Sequence, residues 1–284
     1  MNHRRQPEER GRASDMNSAG LEALRRVIER IGPALVSFSG GVDSTLLAVV
    51  SRDVLGDGMS CAFLDGPLVP RVDAAAAREI ARRLDLPIVV IPFDPLEDPV
   101  IRANPADRCY RCKEAAVRLL RREAGARGYA RIVDGVNTSD LGMRRPGILA
   151  STRGGVEHPF VVAGIGKEQV RGISRFLGLD VWDKPSSACL ASRIPYGEPL
   201  EPGVLSRVER AEDALRGLGF PSPRVRAHGP LARVEVPGSE LARAVLRATD
   251  IVSALKTVGF AYATLDLAGY RSGAMDEVLG NDGG

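Results

Sequence analysis

Apolar residues along this chain fall into two patterns. Short, mostly apolar runs at 34–38, 60–64, 88–91 and 129–133 alternate with longer stretches whose apolar positions recur every three or four residues. The first pattern predicts buried strands, and the second predicts helices with one apolar side. Leu21, Leu24, Val27, Ile28 and Ile31 mark the first helix, which Gly32-Pro33 ends. Further helices are expected at 46–55, 72–84, 113–123 and 167–177. Strand and helix in alternation imply a parallel sheet covered by helices, an α/β domain. Such sheets gather ligands at the carboxyl ends of their strands. That edge holds residues 39–44, Asp65 and residues 134–140.

The style changes after Trp182. Pro195, Gly197, Pro199, Pro202 and Gly203 read as a linker. Beyond it, helices are expected at 204–218 and 241–248, and a strand at 262–267. Residues 224–226 and 232–236 alternate like half-buried antiparallel strands. The expected organisation is an α/β domain over 19–201 and a smaller α+β domain over 202–284. Residues 1–18 are rich in Arg, Glu, Gln and Ser, and are expected to be a disordered tail. They lack the apolar core of a signal peptide.

A length of 284 residues suits one large or two medium domains. No apolar run approaches a membrane span, so no membrane partner is expected and the cytoplasm is the default location. A net charge of +3 is too mild to argue for nucleic acid. The basic residues are almost all Arg, and Lys113, Lys167, Lys184 and Lys256 are the only lysines. Genomic base composition accounts for that bias. Arg82-Arg83, Arg121-Arg122 and Arg144-Arg145 read as solvated faces.

The segment Ser39-Gly40-Gly41-Val42-Asp43-Ser44-Thr45 carries the first chemistry. A strand that runs through glycines into a helix presents backbone N–H groups and the positive end of the helix dipole to an anion. Ser39, Ser44 and Thr45 can donate hydroxyl hydrogen bonds to phosphate. Asp43 repels phosphate unless a cation sits between them, which points to Mg²⁺. The segment lacks the Gly-Lys-Ser/Thr ending of a Walker loop and the Gly-x-Gly-x-x-Gly of a dinucleotide fold. It resembles the PP-loop of the ATP pyrophosphatases. That resemblance implies ATP cleaved between its α and β phosphates, with Ser39, Gly40, Gly41, Asp43, Ser44, Asp65 and Gly135 at the nucleotide. The plain alternative is an ordinary strand-to-helix turn.

Cys61 lies in an apolar strand and reads as core. Cys109 and Cys112 open the 113–123 helix three residues apart, which puts both sulfurs on one side. Cys189 sits in a polar, turn-rich loop. A redox dithiol needs only the pair. Structural zinc normally takes four protein ligands, and His158 is a weak fourth candidate. Three thiolates would fit a [4Fe–4S] cluster with one iron left open.

Several blocks together resemble the LarE family. They are 39–44, 104–112, 134–140, 145–147, 182–197 and 264–273, and the likeness runs from about Leu21 to Leu279. The resemblance implies a PP-loop, adenine nucleotide alpha hydrolase-like fold followed by a smaller α+β domain. It implies a sulfur transferase of nickel-pincer nucleotide cofactor synthesis, serving lactate racemase maturation. MgATP would adenylylate a carboxylate of pyridinium-3,5-biscarboxylic acid mononucleotide, and sulfur would displace AMP to leave a thiocarboxylate. One version of the family sacrifices the sulfur of the cysteine matching Cys189. The other holds a [4Fe–4S] cluster on three cysteines, which match Cys109, Cys112 and Cys189, and this version is preferred. Sulfide or another sulfur donor, and a homo-oligomer, are also implied.

On the resemblance, Cys189, Asp43 and Arg193 are the catalytic candidates. Ser186, Ser187 and Ser192 hold that loop or the substrate. Arg224 and Arg226 share one face of a strand and can fork a phosphate, or else form a surface charge pair. Glu212 and Glu235 can complement them or bind a metal. The competing functions are a PP-loop tRNA thiolase, an amidating PP-loop synthetase, and a nucleotide-binding module with structural zinc.

Overall fold

The computed structural model describes residues 7–142, 146–185, 187–271 and 273–279. Arg145 and Ser186 lie outside the described residues. Two compact units divide the chain. The first draws on Met1–Gly66, Arg71–Phe93 and Cys109–Ser187, and the second on Pro67–Pro70, Asp94–Arg108 and Ala188–Gly284.

In the first unit the order is α1 (Pro7–Ile31), β1 (Ala34–Ser37), α2 (Val42–Leu55), β2 (Met59–Asp65), α3 (Arg71–Arg83) and β3 (Ile88–Pro92). After α4 (Pro99–Arg102), which belongs to the second unit, come α5 (Arg108–Ala126), β4 (Arg131–Val133), α6 (Pro146–Arg153), α7 (Pro159–Val162) and α8 (Lys167–Phe176). The strands form a parallel sheet in the order β3-β2-β1-β4. Leu35 at the centre of the sheet is fully buried. It packs in one cluster with Ala62, Ile91 and Ile132 from the other strands, and with Val117, Leu120 and Ala124 of α5. The expected parallel α/β sheet is present.

The strand order places a switch point between β1 and β4. The chain moves from β1 outward through β2 to β3, then returns to the other side of β1 for β4. The loops leaving β1 and β4 therefore diverge, and such a crevice is where open parallel sheets bind ligands. Helix α1 begins earlier than the apolar spacing indicates and takes in residues 7–18, which the composition assigns to a tail. Their Glu, Arg and Ala residues are good helix formers, which accounts for the earlier start.

In the second unit, α9 (Pro202–Gly217) precedes β5 (Arg224–His228), β6 (Leu231–Glu235), α10 (Leu241–Leu246), α11 (Ala248–Thr257) and β7 (Tyr262–Leu265). The sheet order is β5-β6-β7, with β5 antiparallel and β7 parallel to β6. Strand β5 is not half-buried as its alternation suggests, because Arg224, Val225, Arg226 and Ala227 are all buried. Helix α11 has no counterpart in the expectations.

The Pro- and Gly-rich stretch after Arg193 does not separate the units. The Gly197 N–H donates to the Asn104 carbonyl at 2.9 Å, and the Leu200 N–H to the Arg102 carbonyl at 2.8 Å. Buried Asn104 adds side-chain bonds to the carbonyls of Pro195 (2.7 Å) and Glu198 (3.0 Å). These bonds explain why residues 188–201 and 94–108 fall in the same unit as the C-terminal elements. A boundary at 201/202 was expected from composition.

Candidate active site

The loop after β1 turns sharply onto α2. Gly40 has φ +69°, and a Cβ there would stand 2.7 Å from the Cα of Ala77 in α3. Only glycine meets both demands. Ser44 Oγ accepts from the Ser39 N–H at 3.1 Å, lies 3.0 Å from Ser39 Oγ, and reaches the Gly41 carbonyl at 3.2 Å. These hydroxyls hold the loop closed. The N-cap of α2 is Gly41, with no side-chain cap, so no capping side chain takes the first-turn N–H groups. They remain suited to an anion. Thr45 is fully buried and is not presented to the loop's solvent side.

Gly135, just after β4, closes on the same helix start. A Cβ there would lie 3.0 Å from the Asp43 carbonyl carbon and the Ser44 nitrogen. This contact brings together the loop ends the sequence assigns to the nucleotide. Asp43 is engaged on both oxygens, by Asn137 Nδ2 at 3.1 Å and by the Lys167 ammonium. Lys184 donates to the Gly40 carbonyl at 3.0 Å. Ser187 donates to Asp73 of α3 at 2.5 Å. Asp65, at the end of β2, pairs with Arg71 at 2.7 Å and Arg78 at 2.5 Å. Burial would raise its pKa, and the two guanidiniums outweigh burial to hold it below the usual carboxylate range.

Buried Asp134 organises the edge next to Gly135. His158 Nδ1 lies 2.7 Å from Oδ1, Ser151 donates to Oδ2 at 2.9 Å, and the Lys113 ammonium stands 3.6 Å from Oδ2. His158 Nε2 is 2.8 Å from Thr152 Oγ1. Both ring nitrogens of His158 are therefore engaged within this network, which suits a structural histidine and not a zinc ligand. Burial pushes the Asp134 pKa up, but His158, Lys113 and Ser151 together hold it below the ordinary value. A carboxyl depressed in the folded state stabilises the fold fully above its unfolded pKa of about 4, and loses that contribution as pH falls through the lower folded value. Asp134→Asn is expected to cost on the order of 2 kcal/mol at neutral pH. Its melting temperature should approach that of the wild type in acid, and a gap constant with pH would contradict the assignment.

In the second unit, Cys189 caps the short turn Leu190–Arg193, with its thiol exposed. Its carbonyl accepts from Ser192 N (3.0 Å), Ser192 Oγ (2.9 Å) and Arg193 Nη1 (3.1 Å). Arg193 Nη1 also reaches the Ala188 carbonyl at 2.8 Å. The remaining donors of Arg193 meet Glu212, through Nε at 2.8 Å and Nη2 at 3.1 Å, and both side chains are 1% exposed. A second buried pair, Arg226 with Glu235, bonds at 2.9 and 2.8 Å, and Arg226 also donates to the Ser192 carbonyl. Two arginines thus grip the backbone beside Cys189, each neutralised by a buried glutamate.

These contacts change the roles of several candidates. Arg193 spends its donors on Glu212, Ser192 and the cysteine's backbone, so within this structure it is a positioning residue. Glu212 also accepts from the Val225 N–H at 3.1 Å. Arg224 and Arg226 are each 8% exposed and are not a surface charge pair. The Arg224 guanidinium stands 5.4 Å from the Tyr270 ring centroid. Arg108 reaches the Ala191 carbonyl at 3.0 Å, a further hold on the same turn.

Cys109 and Cys112 sit half-buried in the first turns of α5, in the first unit. They fit as a pair of ligands on one helix face. Among the described residues, no three or more His, Cys, Asp or Glu side chains gather as a ready metal site. Cys61 is fully buried, and burial pushes its thiol up to about 12, as a core cysteine should be. Lys113, Lys167 and Lys184 were given no site role from sequence, and the pairing of Asp134 with His158 was not expected. The visible signal was lysine itself, in a chain whose bases are otherwise arginine.

No family model matches the chain. It is 40% identical to an uncharacterized protein of Synechocystis, over 93% of this chain and 99% of that one. It is 34% identical to pyridinium-3,5-bisthiocarboxylic acid mononucleotide synthase of Lactiplantibacillus plantarum, over 92% of each chain. A stretch covering 25% of the chain is 32% identical to the glutamine-hydrolyzing GMP synthase of Chlamydia muridarum, over 14% of that protein.

Proposed function

This chain belongs to the LarE family of pyridinium-3,5-bisthiocarboxylic acid mononucleotide synthases, and from that premise we propose that it is an ATP-dependent sulfur transferase making this bisthiocarboxylate nucleotide for nickel-pincer cofactor synthesis. Its first unit has the PP-loop, adenine nucleotide alpha hydrolase-like fold. One observation carries the reading furthest. Cys189 presents an exposed thiol while buried Arg193 holds the backbone around it. Such a thiol is placed to react and not to pack.

The proposed substrate is pyridinium-3,5-biscarboxylic acid mononucleotide. A substrate carboxylate oxygen attacks the α phosphorus of ATP, the bond to the bridging oxygen breaks, and pyrophosphate leaves. The uncapped start of α2, with Ser39, Gly40, Gly41 and Ser44, would hold the phosphates, and Mg²⁺, when bound with them, would offset their charge near Asp43. A sulfur nucleophile then attacks the acyl carbon, and AMP departs with the carboxylate oxygen. Two rounds give the bisthiocarboxylate. For sulfur entry we propose Cys109, Cys112 and Cys189 as holders of a [4Fe–4S] cluster, which when bound supplies an open iron for sulfide. The residue pattern supports this choice.

The test is anaerobic. Protein, MgATP, sulfide and the biscarboxylate mononucleotide are mixed, and the product mass is read for oxygen replaced by sulfur. Exchange with AMP and pyrophosphate released is expected, and its absence from iron-loaded protein overturns the proposal. Intact protein mass then separates the sulfur routes. An unchanged mass over many turnovers supports the cluster, and loss of H₂S from Cys189 after one turnover replaces it with sacrifice.

A further inference from the structure

We infer that Arg108, supported by Asn104, is the positioning residue that gives the Cys189 turn and the Cys109–Cys112 helix start a common anchor, so that the three thiols can share one soft ion. The inference rests on the proposed reading of those cysteines as one sulfur-handling set, and it assigns that set a support outside its own side chains.

The first argument is the grip of the arginine. Arg108 is 3% exposed. Its Nη1 donates to the Ala191 carbonyl at 3.0 Å and also to Asn104 Oδ1. The guanidinium carbon stands 5.2 Å from the centroid of the Tyr196 ring. Ala191 comes two residues after Cys189, and Tyr196 lies on the same stretch. A guanidinium is a planar fork, so these partners fix its direction as well as its reach.

The second argument is the asparagine behind it. Asn104 is fully buried and has φ +57°, a left-handed conformation that glycine and asparagine tolerate best. Its Nδ2 donates to the carbonyls of Pro195 and Glu198, while its Oδ1 accepts from Arg108. One amide thus ties the arginine to the backbone that follows the turn. Aspartate would lack the donors, and glycine would lack the side chain.

The third argument is connectivity. Arg108 is the first residue of α5, and Cys109 follows it at one Cα–Cα step of about 3.8 Å. Cys112 comes about one helical turn after Arg108. The side chain of Arg108 therefore holds the turn that carries Cys189, while its backbone begins the helix that carries the other two cysteines. Arg193 and Arg226 also bond to the backbone of that turn. Of these three arginines, Arg108 is the one that lies on α5.

The test is direct binding of two thiol reagents to the reduced, iron-free full chain. Arsenite takes three thiolates, and phenylarsine oxide takes two. Cys189→Ser sets the two-thiol reference. Arg108→Met should weaken arsenite binding by about 100-fold, because the third thiolate no longer arrives as part of one chelate. Phenylarsine oxide affinity should stay within about threefold, since Cys109 and Cys112 share one helix. Arg108→Lys should recover part of the arsenite affinity, because an ammonium can still donate to a carbonyl. Arsenite affinity of Arg108→Met at the wild-type level overturns the inference. An equal loss for both reagents also overturns it, because that marks a merely structural support of the α5 start. If Arg108→Met does not fold, Asn104→Gly, which keeps the left-handed backbone and removes the amide, carries the same comparison. A wild type that binds arsenite no better than Cys189→Ser overturns the three-cysteine reading and the inference with it. A wild type that binds it better, with Arg108→Met indistinguishable from it, overturns the role of Arg108 alone.

Discussion

Cys189→Ser is expected to form no measurable thiocarboxylate, a fall of at least about 10³-fold, while pyrophosphate exchange driven by the biscarboxylate should stay within about threefold of the wild type. The split follows from the proposed division of the chemistry, in which activation belongs to the loop after β1, in the first unit, whereas Cys189 lies in the second. Serine keeps the size of the side chain, and the bonds that hold the turn run to the backbone carbonyl at 189, so the turn survives the exchange. What is lost is the sulfur. Thiocarboxylate formation near the wild-type rate would remove Cys189 from the reaction. An equal loss of exchange would mean that the residue holds the fold instead.

Glu212→Ala should be the most destabilising single change in the second unit, at about 3–5 kcal/mol. The carboxylate is 1% exposed and accepts from Arg193, the Val225 N–H and, at 3.3 Å, Arg216. Removing it leaves the Arg193 guanidinium buried without its counter-charge, which costs far more than losing an exposed pair. Glu22→Ala is the control, because Glu22 pairs with Arg25 at half-exposed positions on α1. It should cost less than about 1 kcal/mol. Chemical denaturation of the three proteins measures both values, and similar values for the two variants would contradict the buried-clamp account. The same change should loosen the Cys189 turn, so thiocarboxylate formation should fall while pyrophosphate exchange persists.

These two results concern neighbouring features that differ in how legible they were. The Cys189 block was visible as a run of specific residues in one stretch. Its support was not. Asn104 and Arg108 belong to the stretch that leads into Cys109, yet their side chains serve the turn after Cys189. Arg226 was read as one arm of a phosphate fork or of a surface charge pair, with Glu235 as a complement or a metal ligand, and the two form a buried pair whose arginine also bonds to the Ser192 carbonyl. A period-2 pattern records which side of a strand a residue takes. It does not record what covers the second side.

Local spacing determined a good deal by itself. Short apolar runs between helical stretches gave the parallel α/β unit, because strand and helix periods are properties of neighbouring residues. The glycines and serines of 39–44 marked an anion loop for the same reason, since a strand-to-helix turn is local. Tertiary structure decided the remainder. It joined residues 188–201 to the C-terminal elements, made Arg193 a holder of the cysteine, and brought Lys167 to Asp43 across 124 positions and Lys184 to Gly40 across 144. A buried charge is stable only beside its partner, and no spacing along the chain names a partner that distant.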